Sequence, residues 1–267
     1  MADEVFAAAA AQARAGARAV RRPFGEVIWN PTYPDLFFLN AVGDLIAPDW
    51  QVGDFETAVR EAMPGVATFR GYSRDPRTIA TLGQSLVAAG YRHDVRIAMI
   101  QTFTPEQFSL SRPVPPPLAG EGPGGGFHTL PVDNPERWTD LERLISVDTR
   151  EHGWPEAIRD QLIALDRWRV AQTPTRFFLA YQADRAVAHV GLFQHATTAY
   201  LHALFTDPAA RRHGAGSILT SAMHDEATAW GCDRLVLQCN DDGYLPGYYA
   251  RLGFRAVGEQ HLWTKRQ

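Results

Sequence analysis

Along the last half of the chain, short apolar runs alternate with stretches in which apolar residues recur at helical spacing. Residues 176–181, 186–193 and 199–206 are brief runs rich in β-branched and aromatic residues, the composition of half-buried or buried strands. After them Ile218, Leu219, Ala222, Met223 and Ala227 fall on one face of a helix over 216–230, and Gly231 stands where a helix stops. The pattern also predicts a strand at 127–132, helices at 135–149 and 155–171, a strand at 234–239, a short helix at 247–252 and a last strand at 255–264. The order β-α-α-β-β-β-α-β-α-β is that of a mixed α/β or α+β domain.

The first half is less regular, but residues 82–92 line up with residues 245–255 at a constant offset. Each reads as a short helix that ends in Gly-aromatic-Arg and leads into a strand. A helix over 55–63 and a strand over 66–72 precede the first copy, as a helix and a strand precede the second, which suggests a duplicated half. The competing explanation is that glycine plus an aromatic is a common way to close a helix. Between the halves, residues 109–126 carry Pro113, Pro115, Pro116 and Pro117 and then Gly120, Gly122, Gly124, Gly125 and Gly126 without apolar periodicity, the composition of a linker. The expected division is therefore 1–108, the linker 109–126, and a larger domain 127–267.

Composition narrows the function. With 267 residues, 45% hydrophobic and 21% charged, the chain can build a sizeable core. A net charge of −4 without a cluster of basic residues argues against nucleic acid as partner. The N-terminal segment has high helix propensity, but its alanines are interrupted by Arg14, Arg18, Arg21 and Arg22, so neither a secretory signal nor a membrane span is read there. Cys232 and Cys239 are the only cysteines and form no secreted framework, so a reducing cytoplasm is expected. His189, His195 and His202 lack a carboxylate or thiolate placed to complete a metal site, so no metal is expected.

One segment carries the chemistry. Arg211-Arg212-His213-Gly214-Ala215-Gly216-Ser217 opens the helix at 216–230. A diphosphate needs converging backbone N–H donors, close approach without Cβ, and a helix N-terminus behind it. Gly214 and Gly216 permit the approach, and Arg211 or Arg212 can pair with phosphate oxygens. Glycine at a helix start is often only a turn, so this loop gains meaning from its context.

That context is Leu204-Phe205-Thr206-Asp207-Pro208 before the loop and Tyr249-x-x-x-Gly253-Phe254 after it. Together the three elements resemble the GNAT N-acetyltransferase superfamily, over about residue 127 to the C-terminus. The resemblance implies a mixed, mostly antiparallel sheet flanked by helices, with acetyl-CoA as co-substrate and direct attack by an amine of a small molecule or peptide on the thioester. It implies that Arg211, Arg212, His213, Gly214, Ala215, Gly216 and Ser217 hold the pyrophosphate. It likewise implies that the backbone of Leu204, Phe205 and Thr206 holds the thioester carbonyl and pantetheine arm. Tyr249 would protonate the leaving thiolate; its structural alternative is a core aromatic. His202 stands where the family often has a glutamate base, so it is the candidate base, and its alternative is a structural strand histidine. Trp154, in the connection where the family builds its acceptor wall, is the candidate substrate contact. The N-terminal half, with Leu86 in the place of Tyr249 and no equivalent glycine loop, would be a degenerate partial copy. Transfer of a longer acyl group and non-catalytic acyl-CoA binding are the alternatives, and a monomer or homodimer is expected.

Overall fold

The computed structural model describes residues 1–66, 68–103 and 126–265, so the expected linker lies, apart from Gly126, outside the described residues. The chain opens with α1 (Ala2–Arg14), followed by strands β1 (Arg18–Arg22), β2 (Gly25–Trp29) and β3 (Ala41–Gly43). Next come α2 (Val52–Ala62), β4 (Arg70–Ser73), the short α3 (Pro76–Thr78), a π-turn at Ile79–Gly83, α4 (Gln84–Ala88) and the long β5 (Arg92–Thr102). The C-terminal half supplies β6 (Phe127–Pro131), α5 (Pro135–Glu151), α6 (Glu156–Gln172), β7 (Thr175–Gln182), β8 (Arg185–His195) and β9 (Thr198–Thr206). It ends with α7 (Ala215–Ala229), β10 (Arg234–Asn240), α8 (Leu245–Arg251) and β11 (Arg255–Thr264). From residue 127 onward the elements follow the order read from the apolar pattern. In the first half the strand expected at 66–72 is confined to Arg70–Ser73, and β1 to β3, of three to five residues, are too short to be read from periodicity.

All eleven strands join one sheet in the order β1-β2-β3-β4-β11-β5-β10-β9-β8-β7-β6. Among the described residues only β3 with β4 and β9 with β10 run parallel, each pair joined through a helix, α2 and α7 respectively. Each half therefore runs parallel pair, short helix, last strand, which matches the offset of the two Gly-aromatic-Arg segments. The helix closures match as well. The N–H of Tyr91 donates to Leu86 O at 3.0 Å and that of Phe254 to Tyr249 O at 3.1 Å, with Gly90 and Gly253 at φ of 86° and 91°.

The last strands are exchanged between the halves. β5 of the first half pairs with β10 of the second, Met99 opposite Leu237, and Met99 is buried in the core under α7 and α8. β11 pairs with β4, Trp263 opposite Gly71, and Trp263 is buried among Phe55, Leu82 and Leu86 of the first half. On the opposite sheet face Ala98, Ile100, Val236 and Tyr200 meet Val5, Phe6 and Ala8 of α1. α5 and α6 cover β7 and β8, with Leu141, Leu144 and Ile145 packed on Phe177 and Leu179. α5 begins cleanly, because Pro135 occupies its first turn and the Asn134 side chain accepts from the Arg137 N–H at 2.9 Å. No described helix is long and apolar enough to cross a membrane.

Candidate active site

β9 is where the sheet opens. Opposite β8 its register shifts, Gly191 pairing with His202 and His189 with Phe205, so one extra residue of β9 is accommodated between them. Ala203 takes the left-handed conformation there, at φ of 52°. Its parallel pairing with β10 is confined to Thr198, Ala199 and Tyr200 opposite Arg234, Leu235 and Val236. Beyond that point the two strands part, and backbone groups of residues 203–206 no longer have β10 as partner. The result is a wedge with main-chain polar groups on its β9 side.

α7 begins at the open end of this wedge. Gly214 caps it at φ of 94° and has no side-chain cap bond, so the first N–H groups of the helix point outward. A Cβ on Gly216 would lie 2.9 Å from Tyr248 Oη, so only glycine leaves this approach clear without moving that ring. Arg212 is itself in the left-handed region, at φ of 65°, and is exposed with His213 at the loop's tip. Arg211 turns back: its Nε donates to Thr206 O at 3.1 Å and its guanidinium pairs with Glu151 at the end of α5. Such a glycine cradle at a helix N-terminus fits a diphosphate. It brings together Arg211 to Ser217 and the Leu204 to Thr206 backbone, the segments expected from the sequence.

Tyr249 lies on the α7 side of the sheet, 6% exposed, packed edge-on against Tyr248 and Phe254. Burial, with Tyr248 and Cys239 alongside, drives its hydroxyl far above the usual tyrosine range, so it is protonated at any physiological pH. Tyr248 is not simple packing: its hydroxyl reaches Ser217 Oγ at 3.5 Å, at the first turn of α7.

His202 projects to the other face, into a cavity of about 1140 Å³ that runs between the two halves of the chain. Its ring stacks near Tyr200 and meets Phe177 edge-on, and a Cβ on Gly191 would sit 2.4 Å from it. Nε2 is shielded and has no hydrogen-bond partner among the described residues. Burial, reinforced by Arg169 and His189, pushes its pKa down to about 3. Trp154 lines the same cavity, half-buried between His152 and the rings of Phe37 and Phe38. Trp138 lies under Arg167, and Trp168, 40% exposed, covers Gly16.

Sequence reasoning missed much of the cavity wall. Asp148, raised by burial, sits 3.0 Å from His152 Nδ1. Asp166, pushed up to about 7 by burial, faces Arg169, and both line the cavity. Arg70, Tyr72 and Arg96 come from the first half. No periodicity or motif could have found these last three, because only the exchange of β5 and β11 carries them to the wedge.

The sequence model of the acetyltransferase (GNAT) family matches residues 138–254. No curated protein matches the chain. Among solved structures, the fold is similar to a functionally unknown conserved protein from Staphylococcus epidermidis ATCC 12228, with a TM-score of 0.70 at 10% identity over 94% of each chain. It is also similar to a GCN5-related N-acetyltransferase from Kribbella flavida, with a TM-score of 0.64 at 14% identity over 100% of this chain and 96% of that one. A tandem GNAT protein from the clavulanic acid biosynthesis pathway is similar at a TM-score of 0.54 and 13% identity, over 90% of this chain and 77% of the other.

Proposed function

We propose that this chain, an acyltransferase whose residues 138–254 are a GNAT acetyltransferase domain in a mixed, mostly antiparallel sheet, moves an acetyl group from acetyl-CoA to a primary amine. The observation that carries the reading is the bulged, splayed β9 ending beside the glycine start of α7. In this reading the pyrophosphate rests on the N–H groups of the Gly214 to Ser217 turn, and the thioester carbonyl receives N–H groups from the parted stretch of β9. The amine nitrogen attacks the thioester carbon, the C–S bond breaks, and the thiolate takes its proton from Tyr249. One proton leaves the amine, and a proton from solvent restores Tyr249, so the products are the amide and the free thiol.

His202 has a narrower role than a free imidazole would. With its pKa held near 3 it is neutral at pH 7, so it accepts a hydrogen bond from the incoming amine and orients it, while the proton passes to water in the cavity. The N-terminal half is read as a degenerate copy: Leu86 occupies the Tyr249 position in the matching helix closure, and α2 follows Gln51 instead of a glycine loop. That leaves one working site per chain.

Mixing the protein with acetyl-CoA and a panel of amines and following free thiol tests the proposal. Thiol release that depends on both supports it, whereas acetyl-CoA binding by calorimetry without release for any amine indicates a binding protein. Tighter binding and faster turnover with a longer acyl-CoA would replace acetyl with that group.

A further inference from the structure

The cavity floor is the sheet face shared by both halves, and two of its arginines lack an ion-pair partner among the described residues. Arg14 pairs with Glu26, Arg74 with Asp3, Arg92 with Asp94 and Arg169 with Asp166. Arg70 and Arg96 have no carboxylate within ion-pair distance among the described residues. Arg96, on β5, stands between Asn240 of β10 and Gln260 of β11, and its Nε is shielded from solvent without a hydrogen-bond partner among the described residues. Arg70 reaches only neutral groups, Thr264 Oγ1 at 3.1 Å and Tyr72 Oη at 3.5 Å, and lies over the Phe37 ring.

Tyr72 reports the field between them. Burial alone would push its hydroxyl up, but Arg70 and Arg96 outweigh that and hold it below the usual tyrosine range. A partly buried guanidinium without a counter-charge is costly, and a ligand that supplies the missing anion relieves that cost. Arg96 is two strands from β9 in the order β5-β10-β9, at least about 10 Å, since β9 and β10 part at this level. That separation lets one extended small molecule touch both the guanidinium and the bulge.

We propose that the acceptor amine carries an anionic group, a carboxylate or a phosphate, which docks on Arg96 and Arg70 beside Tyr72 while its amine reaches the β9 bulge. This inference rests on the acyl-transfer reading of the wedge. The first half of the chain then contributes substrate selection to a site whose transfer chemistry belongs to the second half. Phe37, Phe38 and Trp154 supply an apolar wall for the body of the molecule.

The test uses γ-aminobutyrate, δ-aminovalerate and ε-aminocaproate, each against its own primary amide, with aminobutyl phosphate as the phosphate arm. The wild-type protein is expected to favour the charged member of a pair by at least about tenfold in kcat/KM, the scale of one charge-assisted bidentate contact. Arg96→Gln should bring that ratio toward one, and Arg96→Lys should keep part of it; thermal melts establish that both variants fold. Calorimetry of the same pairs on the CoA-loaded protein separates the two readings. Preferential binding of the charged member without thiol release sinks acyl transfer and leaves the anion site standing. Equal treatment of acid and amide in both assays, or a ratio that Arg96→Gln leaves intact, overturns the anion site. Preference for the phosphate arm over every carboxylate assigns the anion as phosphate.

Discussion

Tyr249 shows how burial prepares a side chain for one task. Enclosed by Tyr248 and Phe254, its hydroxyl stays protonated, which suits a donor to a thiolate. Tyr249→Phe keeps the packing and removes the proton, so steady-state kinetics should show kcat lower by about 10²-fold with the KM for acetyl-CoA little changed. His189 illustrates the cost of burial without partners: it is 2% exposed, neither ring nitrogen is bonded, and burial pushes its pKa down to about 4. Because the unfolded chain binds the His189 proton more readily than the folded one, this residue's contribution to stability is present above pH 6.5 and is lost as the pH falls toward 4. Asp166, raised to about 7, acts with the opposite sign, so the clean measurement compares variants. Denaturant titrations should show His189→Leu gaining about 1–2 kcal/mol on the wild type between pH 7 and pH 5. A difference that does not change with pH would mean that His189 is protonated in the fold.

At the level of elements, the bulge in β9 and the glycine opposite it form one device. Gly191 leaves the space that the His202 ring fills, and the extra residue of β9 turns backbone groups toward the wedge. Gly191→Ala places a methyl group 2.4 Å from that ring, so His202 has to swing out. The resulting shift at the bulge is expected to lower kcat/KM by about 10²-fold, the usual consequence of misplacing a reacting group by an ångström. Circular dichroism should remain native. Loss of the folded state instead of activity would place Gly191 among the residues that hold the sheet together.

Across the whole molecule, the exchanged strands make each half depend on the other. β5 brings Met99 to the second half's core, where its sulfur lies 3.7 Å from Cys239 Sγ, and β11 carries Trp263 to the first half's core. The Trp263 ring leaves no room for a Cβ on Gly83, which would sit 2.4 Å away. Residues 127–267 expressed alone would expose the β10 edge and the indole of Trp263. The expected outcome is aggregation or an expanded state without near-ultraviolet dichroism, rescued by co-expression with residues 1–126. A soluble, active fragment would refute this mutual dependence.

The elements after residue 127 were legible because each buries one face on a local period, and the offset between residues 82–92 and 245–255 survives as two matching helix closures. The glycine loop that opens α7 was legible for a related reason: glycine spacing at a helix start is a local requirement of close approach. The depressed His202 was not legible, since its burial against Gly191 and Phe177 and the charges of Arg169 and His189 come from other elements. Nor were Arg70, Tyr72 and Arg96, whose meaning depends on β5 and β11 crossing between halves. Sequence alone determined the elements after residue 127 and the loop that opens α7, because backbone and near-neighbour side chains decide them. The tertiary structure decided the cavity and its two arginines without ion-pair partners among the described residues, because burial and charge pairing are summed over residues far apart in the chain.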